Sequence, residues 1–243
     1  FIFFFIMASI VEEDNNDSNN LHSSNINTAA NIEVTITNIP VKCRFAPYWL
    51  NSKYGSIGMT ALPGRSKSGS QTKELLKRDF ELLASLAVTD IFLFCTAREV
   101  LSMLPNLDFV AIAGKYGIEV HHYPIQIGLH PTTVEDCYII HEHMEKCLKN
   151  NKNIICISRN GFGRAPTILA TFILKQKEHL LPDTAMEEIR EYRGHPAIQT
   201  IKQYNFLHEY QVYIDSKRQK DNKNTTGMVK NSSGKRTRNV ATP

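Results

Sequence analysis

Two unbroken apolar runs constrain this chain most: residues 90–95 (DIFLFC) and 153–157 (NIICI). Each has the length of a strand, and neither alternates with polar residues. Such runs suit strands buried on both faces, the arrangement of a parallel sheet covered by helices. Helical spacing surrounds them. Residues 71–87 place Leu75, Leu76, Phe80, Leu83 and Leu86 on one face, and Val134, Cys137, Tyr138, His141, Met144 and Leu148 share a second face. A capping box, Thr132-x-x-Glu135, opens that second helix. Further strands are expected at 57–62 and 118–123, a loop at 124–131, and helices at 107–116, 165–177, 182–192 and 199–215. Alternating strands and helices imply an α/β fold with a central, mainly parallel sheet flanked by helices.

The length of 243 residues suits one domain with tails. Residues 1–39 read as a disordered tail, because 8–38 hold eight Asn among Ser, Thr and acids and too little apolar surface to offset the entropy of ordering. FIFFFI at 1–6 is too short to span a membrane and lacks a basic start, so it reads as leader sequence ahead of Met7. The folded domain is expected at 40–216. Residues 217–243 form a basic tail, a solubilising segment or an import signal, with eight Lys and Arg against Asp221. Both ends removed, the +4 net charge leaves a nearly neutral middle, which argues against a nucleic-acid partner. Five widely spaced cysteines, an odd number, point to a reduced, intracellular protein, expected in the cytoplasm or, by the basic tail, the nucleus; with no apolar segment of spanning length, no membrane partner is expected.

The chemistry concentrates after the 153–157 strand, in Ser158-Arg159-Asn160-Gly161-Phe162-Gly163-Arg164. At a junction of strand end and helix start, free backbone N–H groups and the helix dipole favour an anion. Gly161 and Gly163 permit positive φ, which turns successive N–H groups inward as a nest. Arg164 offers a planar fork to a phosphate. On spacing alone, an ordinary glycine turn with a solvated arginine stands beside this reading. A nucleotide P-loop is excluded, since GxxxxGK[ST] is absent.

This loop resembles the Cys-x5-Arg signature of protein tyrosine and dual-specificity phosphatases. The likeness extends in order through ALPG (61–64), DIFLFCT (90–96), PNL (105–107), HHYPI (121–125), CLKN (147–150), GFGR (161–164) and RGHPAIQTIKQYNFLHEY (193–210). Together these are similar to the kinase-associated phosphatase family, also called cyclin-dependent kinase inhibitor 3. The resemblance implies a dual-specificity-type fold and a phosphate loop of residues Ser158 to Arg164. It also implies cell-cycle partners, a cyclin-dependent kinase or a phosphorylated protein, with no cofactor.

The departures fall on the chemistry. Ser158 stands where the family has its nucleophilic cysteine, and a hydroxyl without a base is a poor nucleophile at neutral pH. Ile127 stands at the general-acid aspartate, Ile157 at the histidine before the nucleophile, and Ala165 at the hydroxyl after the arginine. A pseudophosphatase is therefore expected. The alternative is an active dual-specificity phosphatase that removes the activation-loop phosphothreonine of a cyclin-dependent kinase.

Gln199 matches the glutamine that positions hydrolytic water. Arg159 either adds charge beside the loop or is solvated. Cys156 reads as a strand residue too early to replace Ser158, and His130, Glu135 and Asp136 as a solvated helix start near the lost acid. Two i, i+4 pairs, Cys137–His141 and His143–Cys147, have zinc-compatible spacing but no accompanying ligand cluster, and His121–His122 read as strand residues on opposite faces; no metal site is expected. Of the polar residues Gln199, Lys202, Gln203 and His208, some must face solvent on an amphipathic helix and are expected to supply surface positions for a kinase.

Overall fold

The computed structural model describes residues 35–37, 48–51, 55–64 and 72–232, with side chains for 55–64 and 73–220. The chain divides into units 1–30 and 31–243, and everything described belongs to the second. Its strands are β1 (Thr35–Thr37), β2 (Tyr48–Asn51), β3 (Ser56–Ala61), β4 (Val88–Leu93), β5 (Glu119–His122) and β6 (Asn153–Ser158). Its helices are α1 (Thr72–Ser85), α2 (Ala97–Met103), α3 (Phe109–Lys115), α4 (Val134–Lys149), α5 (Arg164–Gln176), α6 (Pro182–Arg193) and α7 (Ile201–Ser232).

The sheet order is β1-β2-β3-β6-β4-β5. The four strands β3, β6, β4 and β5 run parallel, and β1 and β2 add an antiparallel edge. The apolar runs occupy the middle because strand side chains alternate between faces. In β6, Ile154 and Cys156 enter the core under α4 to α7, while Ile155 and Ile157 enter the core with α1 and α3. In β4, Phe92 faces the first core and Ile91 and Leu93 the second. Both cores close over the sheet, so the parallel strands present their carboxyl ends, and the loops after them, on one side.

Three boundaries correct the sequence expectations. β1 lies inside the stretch 1–39 expected to be a tail: three β-branched residues there form a strand although the surrounding composition is Asn-rich. α7 passes 216 and runs on to Ser232, through sequence expected to be disordered. Local anchors explain its continuation past 216. Lys217 Nζ lies 4.1 Å from the Tyr138 ring centroid, and Arg218 donates to Leu174 O at 2.9 Å and Lys175 O at 3.2 Å, capping the end of α5. Residues 1–34 and 233–243 lie outside the described residues. Finally, the α4 capping box is Thr133 with Asp136, one residue later than expected, with the Asp136 N–H donating to Thr133 Oγ1 at 3.0 Å. No helix among the described residues is long and apolar enough to cross a membrane.

Candidate oxyanion site

Ser158 ends β6 and Arg164 begins α5, so the loop between them bridges a strand carboxyl end and a helix amino end. Among the described residues, no backbone N–H from Arg159 to Arg164 donates a hydrogen bond to another group of the chain. Unbonded donors in succession at a helix start are the kind of group that can face a negative charge. Gly161 has φ +68°, as expected, and packs so tightly that a Cβ there would lie 2.8 Å from Ala61 N and Thr60 C. Gly163 corrects the expectation of positive φ: as the residue before α5 it has φ −106°, and its smallness serves proximity instead. A Cβ on Gly163 would meet Gln203 Nε2 at 3.0 Å and Gln199 Oε1 at 3.4 Å.

The loop is held from outside by residues distant in sequence. Arg193 Nε donates to Gly161 O at 2.8 Å and Nη2 to Asn160 O at 3.1 Å, while its guanidinium lies 3.7 Å from the Phe162 ring centroid. The Ile198 N–H donates to Phe162 O at 2.8 Å. Gln203 is buried and spans two segments: Oε1 accepts from Gln199 N at 3.1 Å and Nε2 donates to Leu129 O at 3.0 Å. Thr200 Oγ1 donates to Gly128 O at 2.8 Å. The 198–203 stretch thus fixes both the phosphate-type loop and the 124–131 loop. Of the four polar residues of which some were expected to face solvent, Gln199 and Lys202 are exposed, His208 is half-buried and Gln203 is an internal brace.

Arg164 is buried at 4% exposure and paired with Glu99 of α2. Nη2 donates to Glu99 Oε1 at 2.6 Å and Nη1 to Oε2 at 2.7 Å, and Nη1 also reaches Ile125 O at 2.7 Å and Phe94 O at 3.0 Å. Nε makes no hydrogen bond within the described residues. Glu99 is itself the N3 residue of a capping box, with Oε2 accepting from Thr96 N at 2.9 Å. Burial pushes the Glu99 carboxyl upward, but the Arg164 and Thr96 hydrogen bonds outweigh it and hold the carboxyl below its usual value. Arg164 is thereby fixed in charge and direction. Sequence reading missed Glu99; its signal was the Thr96-x-x-Glu99 capping pattern directly after the DIFLFC run.

Ser158 is 2% exposed, and among the described residues the one hydrogen bond of its Oγ is acceptance from Ala165 N at 3.4 Å. No carboxylate or imidazole among the described residues bonds to it. Ile127 projects into solvent at 60% exposure, and Ile157 is fully buried in the core beside α1 and α3. Arg159 is exposed, and the Asn160 side-chain oxygen is buried without a partner. His130 stacks on Phe206 at 4.2 Å and bonds Pro131 O, while Asp136 is consumed by the α4 cap and Glu135 is exposed. Cys156 sits fully buried two residues down β6, where burial raises its thiol far above the usual range. Cys95, close enough to respond to Arg164 and Glu99, is also fully buried, and burial pushes its thiol up to about 12.

The comparisons agree with this geometry. A family model for cyclin-dependent kinase inhibitor 3 matches residues 17–186. The cyclin-dependent kinase inhibitor 3 proteins of Rattus norvegicus and Homo sapiens are each 36% identical to the chain, over 166 and 155 residues. These alignments cover 66% and 63% of this chain and 76% and 71% of the relatives. A crystal structure of kinase associated phosphatase, with its catalytic-site cysteine substituted by serine, matches with TM-score 0.59 and 31% identity, covering 77% of this chain and 98% of that one. Tk-PTP in its active form shares the fold at TM-score 0.52 and 21% identity, over 64% of this chain and 90% of that one. The chain therefore belongs to the cyclin-dependent kinase inhibitor 3 family, with the fold of dual-specificity-type phosphatases.

Proposed function

We propose that this chain holds a phosphorylated residue without hydrolysing it and docks onto a cyclin-dependent kinase. The observation that carries the reading is Ser158: a buried hydroxyl, with no base bonded to it, at the floor of a cradle whose N–H donors are free. By the family signature, Ser158 stands where the catalytic cysteine belongs and Ile127 where the proton donor belongs. A serine hydroxyl stays protonated there, and an isoleucine side chain delivers no proton to a leaving oxygen. The loop's binding function needs neither group. It draws on the N–H cradle, the start of α5 and Arg164, with Gln199 at its rim.

The kinase partner rests on the relatives' names and on an exposed surface beside the loop. Ile201 is 78% exposed and Lys202 is exposed, and the Thr200–Gly128 bond ties their segment to the one that carries Ile127. Two measurements test the two halves. The expected planar fork is turned to Glu99, Phe94 O and Ile125 O, which leaves Nε–H for an anion. In titration calorimetry with tungstate, wild type should bind one equivalent and Arg164→Lys, which keeps charge but loses Nε–H and the bidentate hold on Glu99, at least about tenfold less tightly. Equal or absent binding in both refutes the phosphate-holding half. In a pulldown with a purified cyclin-dependent kinase phosphorylated on its activation loop, wild type should retain the kinase and Lys202→Glu should lose it. No retention by wild type, under conditions where a rat family member retains it, refutes the docking half.

A further inference from the structure

At the amino ends of β4 and β5, away from the loop, the fold gathers residues that sequence reading kept apart. His121 of β5 meets His143 and Cys147 of α4, with one ligand atom from each lying within 4.8 Å of the others. The two imidazoles are edge to face at 4.3 Å. Beneath them lies Asp90 of β4, fully buried, its Oδ1 at 2.7 Å from His121 Nε2, 3.0 Å from Lys152 Nζ and 3.7 Å from Cys147 Sγ. Its Oδ2 is buried without a hydrogen-bond partner among the described residues. The expectation that the His143–Cys147 pair lacks a second ligand cluster is thus corrected by the fold.

We propose that His121, His143 and Cys147, with Asp90 as fourth donor, bind a divalent ion of the zinc class. Two imidazoles, a thiolate and a carboxylate are the donor set such an ion takes in four-coordinate geometry. Zinc bonds of about 2.0–2.3 Å require ligand atoms about 3.3–3.6 Å apart. The His121, His143 and Cys147 atoms, within 4.8 Å of one another, must therefore close by about 1 Å, whereas His121 Nε2 and Asp90 Oδ1, at 2.7 Å, must part by about 0.6 Å to admit the ion. On binding, the Cys147 thiol gives its proton to solvent and its sulfur bonds the metal. Asp90 exchanges Lys152 for the ion, and Lys152 has a second partner in Glu119 Oε2 at 3.6 Å. The two anionic ligands balance the dication. His143 Nδ1 lies 2.8 Å from Tyr123 Oη, and donation of its N–H there directs Nε2 to the metal.

Cobalt is the probe. Titrating the full-length reduced protein with Co²⁺ should saturate at one equivalent, with a near-ultraviolet thiolate-to-cobalt band that Zn²⁺ abolishes. Cys147→Ser should lose the band, and His143→Gln should bind Zn²⁺ at least about tenfold more weakly in chelator competition. Circular dichroism verifies that each variant is folded. Absence of the band in folded wild type, its persistence in Cys147→Ser, or unchanged zinc affinity in His143→Gln overturns the proposal.

Discussion

Replacing Glu99 by alanine tests the buried ion pair under the loop. The Arg164 guanidinium donates four hydrogen bonds, two of them to Glu99 at 2.6 and 2.7 Å, and both side chains are about 5% exposed. Glu99→Ala leaves a buried cation with two neutral carbonyls, Phe94 O and Ile125 O, and removes the acceptor of Thr96 N. Breaking a buried pair from one side costs about 3–5 kcal/mol. Removing both charges, as in Glu99→Ala with Arg164→Met, costs less, because no uncompensated charge remains. Urea unfolding at pH 7 of wild type, both single variants and the double variant gives the coupling directly. In thermal unfolding the single change corresponds to a fall of about 6–20 °C. The pH dependence follows from the same pair. The folded carboxyl is held below its usual value, so its contribution is present above about pH 4.3 and lost as pH falls through the folded value. Glu99→Ala should lack that component. A loss under about 1 kcal/mol, or the same loss with Met at 164, refutes the reasoning.

Gly161→Ala should destabilise by at least about 2 kcal/mol, because an L residue at φ +68° costs about 1–2 kcal/mol and its Cβ would press on β3 backbone at 2.8 Å. Calorimetry should find oxyanion binding lost with it, and an unchanged affinity contradicts the cradle. His141 is fully buried between Tyr210 Oη at 2.6 Å and Ile168 O at 3.1 Å, and burial brings its pKa down to about 3. The unfolded imidazole takes its proton near pH 6.5, so stability falls as pH drops from 6.5 towards 3, by about 1.4 kcal/mol per unit in mid-range. Chemical denaturation across that range should show the slope, and His141→Phe should flatten it.

The sequence was most legible where one local pattern decided the outcome. β4 and β6 are apolar on both faces, and the strand–glycine–arginine junction sets its own geometry. Residues whose role depends on a distant partner were opaque. Glu99 meets Arg164 across 65 positions, and Arg193 reaches back 32 to clamp Gly161. Gln203 could not be told from its solvent-facing polar neighbours, because the two hydrogen bonds that satisfy its side-chain amide inside come from Gln199 N and go to Leu129 O. β1 and β2, of three and four residues, are too short to carry a period that could be read. His121 and His143 belong to different elements, and only the packing of α4 against β5 brings them together.

Hydrolysis of an aryl phosphate, measured for the unaltered chain beside Ser158→Cys with Ile127→Asp, tests the central claim most directly. On the proposed reading the unaltered chain should match buffer, because Ser158 and Ile127 take the places of the nucleophile and of a proton donor that alone is worth about 10²–10⁴-fold. The double variant should turn over, and Ser158→Cys alone should do so more slowly. Hydrolysis by the unaltered chain that disappears in Ser158→Ala would contradict the account, because Ser158 would then be a working nucleophile.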